Sequence, residues 1–198
     1  MRRRDVDQLL LGRQRSRDGH EERLHLYLGW RRQHSVRWLH GNGHAGDGWV
    51  VPTGEVDQAV RDAFARWQVV RMYGDPAWWR GWLASWAEEF GKNIVAEFPT
   101  NSAARMAPAV EAVDTSIRQG ELTHDGDSRL ARHIANAHRL YVRLRTDDGE
   151  RRPFVLQKER PHSPRKIDAA VAATLALAAR NDAIAAGEFV APSMPMIY

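Results

Sequence analysis

Residues 69–98, VVRMYGDPAWWRGWLASWAEEFGKNIVAEF, restrict the possible folds of this chain more than any other stretch. VVRMYG reads as a short buried strand. Asp75 then stands where a helix N-cap belongs, and Pro76 fills the favoured first helical position. Trp78, Trp82, Trp86 and Phe90 recur every four residues and so mark one helix face, read as core. Gly91 closes the helix, and NIVAEF (93–98) reads as the next strand. Strand, helix, strand in this order predicts a parallel pair with a right-handed crossover. Ligands of open α/β sheets gather at strand carboxyl ends, which puts Asp75 where a site would lie.

Around this unit the predicted elements alternate. DVDQLLLG (5–12) and LHLYLGW (24–30) pair as a hairpin across RSRDGHEE. HGNGHAGDG (40–48) is a glycine-rich loop without the Gly-Lys-Ser/Thr ending of a Walker phosphate loop, so no ATP site is expected. VPTGEVDQAVRDAFARWQ is a helix with Val56, Val60, Phe64 and Trp67 on one stripe. TNSAARMAPAVEAVDTSIRQG is a helix interrupted or started late by Pro108. LYVRLRT and PFVLQKE form a second hairpin, and SPRKIDAAVAATLALAARNDAIAAG is a long alanine-rich helix with Ser163 as cap and Pro164 in its first turn.

A chain of 198 residues fits a single domain, and 43% hydrophobic with 27% charged residues suits a folded soluble protein. No apolar run is long enough to span a bilayer, and the start carries no secretory cleavage pattern. The absence of cysteine removes disulfides and thiolate metal sites. Residues 1–40 hold ten Arg against five acids, while the remainder is nearly balanced within a net charge of +4. Such a basic start suits phosphate contact, and equally the protection of an edge strand.

Two carboxylates stand out. Asp75 is read as a cap and as a site residue. Asp168 lies near the start of the last helix beside Ile167, where the macrodipole favours an anion, and it can also look toward the sheet end that carries Asp75. Hard oxygen ligands brought together in this way suit a divalent cation in phosphoryl chemistry. The stretch GELTHDGDSRLARHIANA (120–137) reads first as a connection, with Gly120 ending one helix and Asp127 or Ser128 capping the next. Its Arg129 and Arg132, with Arg139 beyond, can meet phosphates. A zinc site at His124 and His133 lacks further ligands.

VVRMYGDPAWWRGWLASWAEEFG, GELTHDGDSRLARHIANA and KERPHSPRKIDAAVAATLALAAR, in that order, together resemble the carboxyl-terminal nuclease domain of tailed-bacteriophage terminase large subunits, particularly those of actinobacterial phages and prophages. The resemblance covers residues 48–187. It implies an α/β fold, an RNase H-like mixed sheet flanked by helices, that cuts concatemeric double-stranded DNA with two Mg²⁺ or Mn²⁺ ions in the host cytoplasm, alongside a small subunit and a portal protein. Asp75 matches the family's acid at the central strand end, and Asp168 its acid on the final helix. Lys166 joins the DNA-binding candidates.

The departures carry expectations too. No ATPase motor motif is present. The family's first metal-binding acid is expected to precede Met1, with DVDQLLLG following it and Asp5 as the secondary acid, so that the sheet is N-terminally truncated. This divides the chain into a basic segment with a remnant hairpin (1–47), the nuclease-like domain (48–187) and a flexible tail (188–198). It leaves two main functions open, an endonuclease or a non-catalytic DNA-binding remnant of a decayed prophage. A third, an RNase H-like resolvase or ribonuclease, shares the carboxylates without the HDGD loop.

Overall fold

The computed structural model describes the backbone of residues 8–12, 24–29 and 35–39, and residues 52–122, 127–144, 152–160, 163 and 165–188, the side chain of Trp78 apart. Strands β1 (Gln8–Gly12), β2 (Leu24–Gly29), β3 (Ser35–Leu39), β4 (Met72–Gly74) and β5 (Val95–Glu97) form one sheet in the order β3-β2-β1-β4-β5. The expected first hairpin is present, with Leu10 opposite Tyr27 in an antiparallel register. β3 adds antiparallel to β2. β4 runs parallel to β1, Leu9 pairing with Met72 and Leu11 with Gly74, and β5 runs parallel to β4.

The run DVDQLLLG takes a central place in this order. Part of that run is itself the central strand, hydrogen-bonded along both edges, to β2 and to β4. Strands from both sides of residues 47 and 48 contribute to this sheet.

The alternation of β4 and β5 distributes the helices between two faces. Met72 and Val95 point toward α1 (Thr53–Arg66) and α2 (Pro76–Phe90), where they meet Val56, Val60, Trp79, Leu83 and Trp86. The inward line of α2 is Trp79, Leu83 and Trp86, with Trp82 and Phe90 beside it, because the helix advances by 3.6 residues per turn and not by four. The rings of Trp79 and Trp86 lie 6.2 Å apart, and Phe64 stacks on Phe90 at 3.9 Å. A Cβ built on Gly74 would come within 2.5 Å of Leu83 Cδ2. Glycine there lets α2 close down on the strand immediately before Asp75.

On the other face Tyr73 and Phe98 pack with Met106, Val110, Leu175 and Ala179 from α3 (Ala103–Arg118) and α5 (Asp168–Ala185). α5 crosses β1, β2 and β4, and its buried Ala169, Ala172, Ala179 and Ala183 allow close approach. Near its far end the Tyr73 hydroxyl donates to Asp182 at 2.6 Å. α3 runs through Pro108 without interruption, correcting the expected break. α4 (Ser128–Ala135) packs on α5, and β6 (His138–Tyr141) with β7 (Phe154–Gln157) forms the second expected hairpin, a separate two-stranded sheet. The segment 189–198 lies outside the described residues.

Candidate functional site

Asp75 directly follows β4 with extended backbone, and its two oxygens have different partners. Oδ1 accepts from Ala77 N at 3.2 Å, capping α2, while Oδ2 accepts from the Thr100 hydroxyl. Thr100 lies just past the carboxyl end of β5, so parallel neighbours bring it beside Asp75. The cap and the site residue are therefore one group. Capping occupies one oxygen and fixes the rotamer of the other.

Asp168 is the first residue of α5 and is 2% exposed. The predicted helix start at Ser163 is corrected by four to five residues. Ser163 Oγ instead accepts from Arg165 N at 3.2 Å, and residues 165–167 precede the helix. Helix N-termini leave N–H groups without intrahelical acceptors. Here Ala169 N donates to His133 Nδ1 at 3.0 Å, and the Asn136 amide donates to the Lys166 carbonyl at 3.0 Å. An imidazole accepting at Nδ1 is neutral, with its hydrogen on Nε2.

A cavity of about 390 Å³ opens beside these elements, lined among others by Thr100, Lys158, Glu159, Arg160 and Asp168. Asp168 lines it directly; Asp75 does not line it, but its hydrogen-bond partner Thr100 does. Lys158, just past the end of β7, is only 7% exposed, so a buried lysine lines the cavity as well as the buried carboxyl group of Asp168.

Two divalent ions would bring four positive charges to this place. Among the described residues no group of three or more His, Cys, Asp or Glu side chains is arranged to hold a metal. The strand beside β4 ends in Gly12, one step beyond the Leu11–Gly74 pair, where Asp75 follows on β4. The carboxyl groups of Asp75 and Asp168 offer hard oxygen donors of the kind a divalent cation takes, with water or phosphate completing its shell, whereas Lys158 offers no such oxygen. Asp5 lies outside the described residues.

The proposed phosphate contacts divide. Arg129 pairs with Asp127 at 2.9 Å, and Arg139 pairs with Asp114 at 2.9 Å while lying over the Phe154 ring. Both arginines already serve the fold. Arg132 is exposed, and Lys166 is half-buried. Asp127 caps α4, accepting from Arg129 N and Leu130 N, and Gly120 takes a positive φ of 66° after α3, both as expected. His124, Asp125 and Gly126 lie outside the described residues. Sequence reasoning missed Thr100, Lys158, His133 and Asn136 as parts of the site. The spacing of His133 and Asn136, three apart on one helix side, was the available clue.

Sheet order, crossover helices and an acid at the carboxyl end of β4, the neighbour of central β1 and not the central strand itself as expected, define an RNase H-like fold of the terminase-nuclease type. The large terminase nuclease from thermophilic phage G20c has this fold, with a TM-score of 0.51 over 90% of each chain at 12% identity. Two phage proteins are related in sequence. The chain is 34% identical over 144 residues to the gene 13 protein of Mycobacterium phage D29 and 31% identical over 144 residues to that of Mycobacterium phage L5. These matches cover 68% of this chain, which spans only 23% of the length of either relative. No family model matches.

Proposed function

We propose that this chain is a nuclease module of a phage DNA-packaging terminase, hydrolysing phosphodiesters of concatemeric double-stranded DNA with Mg²⁺ or Mn²⁺. One observation carries the reading: Asp168 lines the same cavity as Thr100, which is bonded to Asp75, at the carboxyl end of a terminase-nuclease sheet. Asp168 and Asp75 would hold the divalent ion, which when bound would supply Lewis acidity toward the phosphate and the attacking water. Thr100 holds Asp75 in one rotamer, and the burial of Asp168 keeps competing water away from its carboxylate. Lys158 and Arg160 place positive charge where phosphate oxygens enter. Water adds at phosphorus and gives up a proton to solvent, the P–O bond to the departing sugar breaks, and the sugar oxygen takes up a proton from solvent to leave as a hydroxyl. Asp5 is the acid proposed for a second ion. Small-subunit and portal contacts, and residence in the host cytoplasm, belong to the same reading. Among the described residues no helix is long and apolar enough to cross a membrane.

The glycine at the end of β1 favours a second reading, a folded DNA-binding remnant that does not cut. Plasmid cleavage by the purified chain with Mg²⁺ or Mn²⁺ separates the two. Nicking or linearisation that disappears in Asp75→Ala and in Asp168→Ala is the expected result. Intact plasmid after incubation with folded wild type, in both metals, selects the remnant.

A further inference from the structure

We infer that α4 is the positioning element of this site, and that His133 and Asn136 act through it to set where α5 begins and hence where Asp168 stands. The inference rests on the proposed role of Asp168 as a cation ligand. Two side-chain bonds from α4 bracket that residue. Asn136 holds the carbonyl of Lys166, two positions before it, and His133 takes the N–H of Ala169, one position after it.

Ile167, the residue preceding the helix, has no polar side chain, and the Ser163 hydroxyl is spent on Arg165 N. With His133 accepting from Ala169, an orphan N–H of the first turn is satisfied by an imidazole, a task that a carboxylate would otherwise perform. His133 is itself 5% exposed, so its ring is held by packing as well as by this bond. α4 in turn is anchored by Asp127 at its start and by buried Leu130. The motif that reads as a connection in sequence thus locates the second carboxylate.

The test measures Mn²⁺ affinity by calorimetry together with plasmid cleavage, on the full chain, with folding followed by circular dichroism and thermal melting. Asp168→Asn is the reference and should weaken Mn²⁺ binding. His133→Leu, which fills the volume but cannot accept, should stay folded and lose about tenfold or more in Mn²⁺ affinity, the usual scale for residues supporting a metal ligand. His133→Asn, which restores an acceptor oxygen near the Nδ1 position, should recover most of that affinity. Asn136→Leu should act in the same direction and decides the matter if His133→Leu does not fold. Wild-type Mn²⁺ affinity in a folded His133→Leu protein, or equal losses in the Leu and Asn variants, would overturn the positioning role while leaving the Asp168 reading intact. Unchanged binding in Asp168→Asn would sink that reading, and the positioning role with it.

Discussion

The two faces of the sheet are built from different materials. Toward α1 and α2 the buried side chains are apolar, Val56, Val60, Met72, Trp79, Leu83, Trp86 and Val95 among them. Every buried polar or charged side chain among the described residues, His133, Lys158, Ser163, Asp168 and Thr174, falls in the other half of the chain, on α4, α5 or the segment between β7 and α5. Burying a polar group costs free energy unless it is hydrogen-bonded, and burying a charge costs more. Both faces carry an apolar core, but only the α3–α5 side adds these costs, and it is the side that carries the proposed site.

That difference is sharpest at Trp86 and Asp168. Trp86→Ala should destabilise by about 3–5 kcal/mol, from lost burial and an unfilled cavity, with cleavage per folded molecule unchanged. Asp168→Asn should do the reverse, reducing cleavage by about 10³-fold or more, roughly 4 kcal/mol of activation free energy, with little change in the urea midpoint. If both variants lose stability and activity in parallel, the division between faces is wrong. Gly74→Ala tests the junction of the two. Its Cβ would meet buried Leu83, and overpacking of this kind costs about 1–3 kcal/mol by urea denaturation.

A smaller effect tests the one acid built into the apolar face. Burial pushes the Asp57 carboxyl up, but the Trp86 indole N–H, at 2.8 Å, and Arg61 together outweigh it and leave the group below its ordinary value of 3.8. A carboxyl lowered on folding contributes its stabilisation above the unfolded pKa and loses it as pH falls through the folded one. Asp57→Ala should therefore cost about 1 kcal/mol at neutral pH. The difference from wild type should narrow as urea titrations are taken down through the ordinary carboxylate range. A difference independent of pH would remove the charge from the account. Smallest of all is Thr174→Val. The hydroxyl donates only to Ala170 O within α5, a carbonyl positioned to accept the helical bond of Thr174 N as well, so the melting temperature should change by no more than a few degrees, under about 1 kcal/mol.

Local grammar made much of this molecule legible from its residues. The strand–helix–strand unit around Asp75, the pairing of Gln8–Gly12 with Leu24–Gly29, the caps at Asp75 and Asp127 and the helix stop at Gly120 follow from periodicity and capping, which act within a few residues. Asp75 and Asp168 were readable as candidates for the same reason, each standing at a helix start. Tertiary structure alone decided which strand lies beside β4, because the parallel partner of Met72 is Leu9, far away in the chain. It also decided that α5 begins at Asp168 and not near Ser163, since the bonds that set this start come from His133 and Asn136 on another helix. Thr100 and Lys158 entered the site in the same way, by lining one cavity from separate strand ends. Sequence pattern specified the elements and their caps, whose energetics are local. Register between distant strands and the composition of the cavity depend on contacts between residues far apart in the chain, which no local pattern encodes.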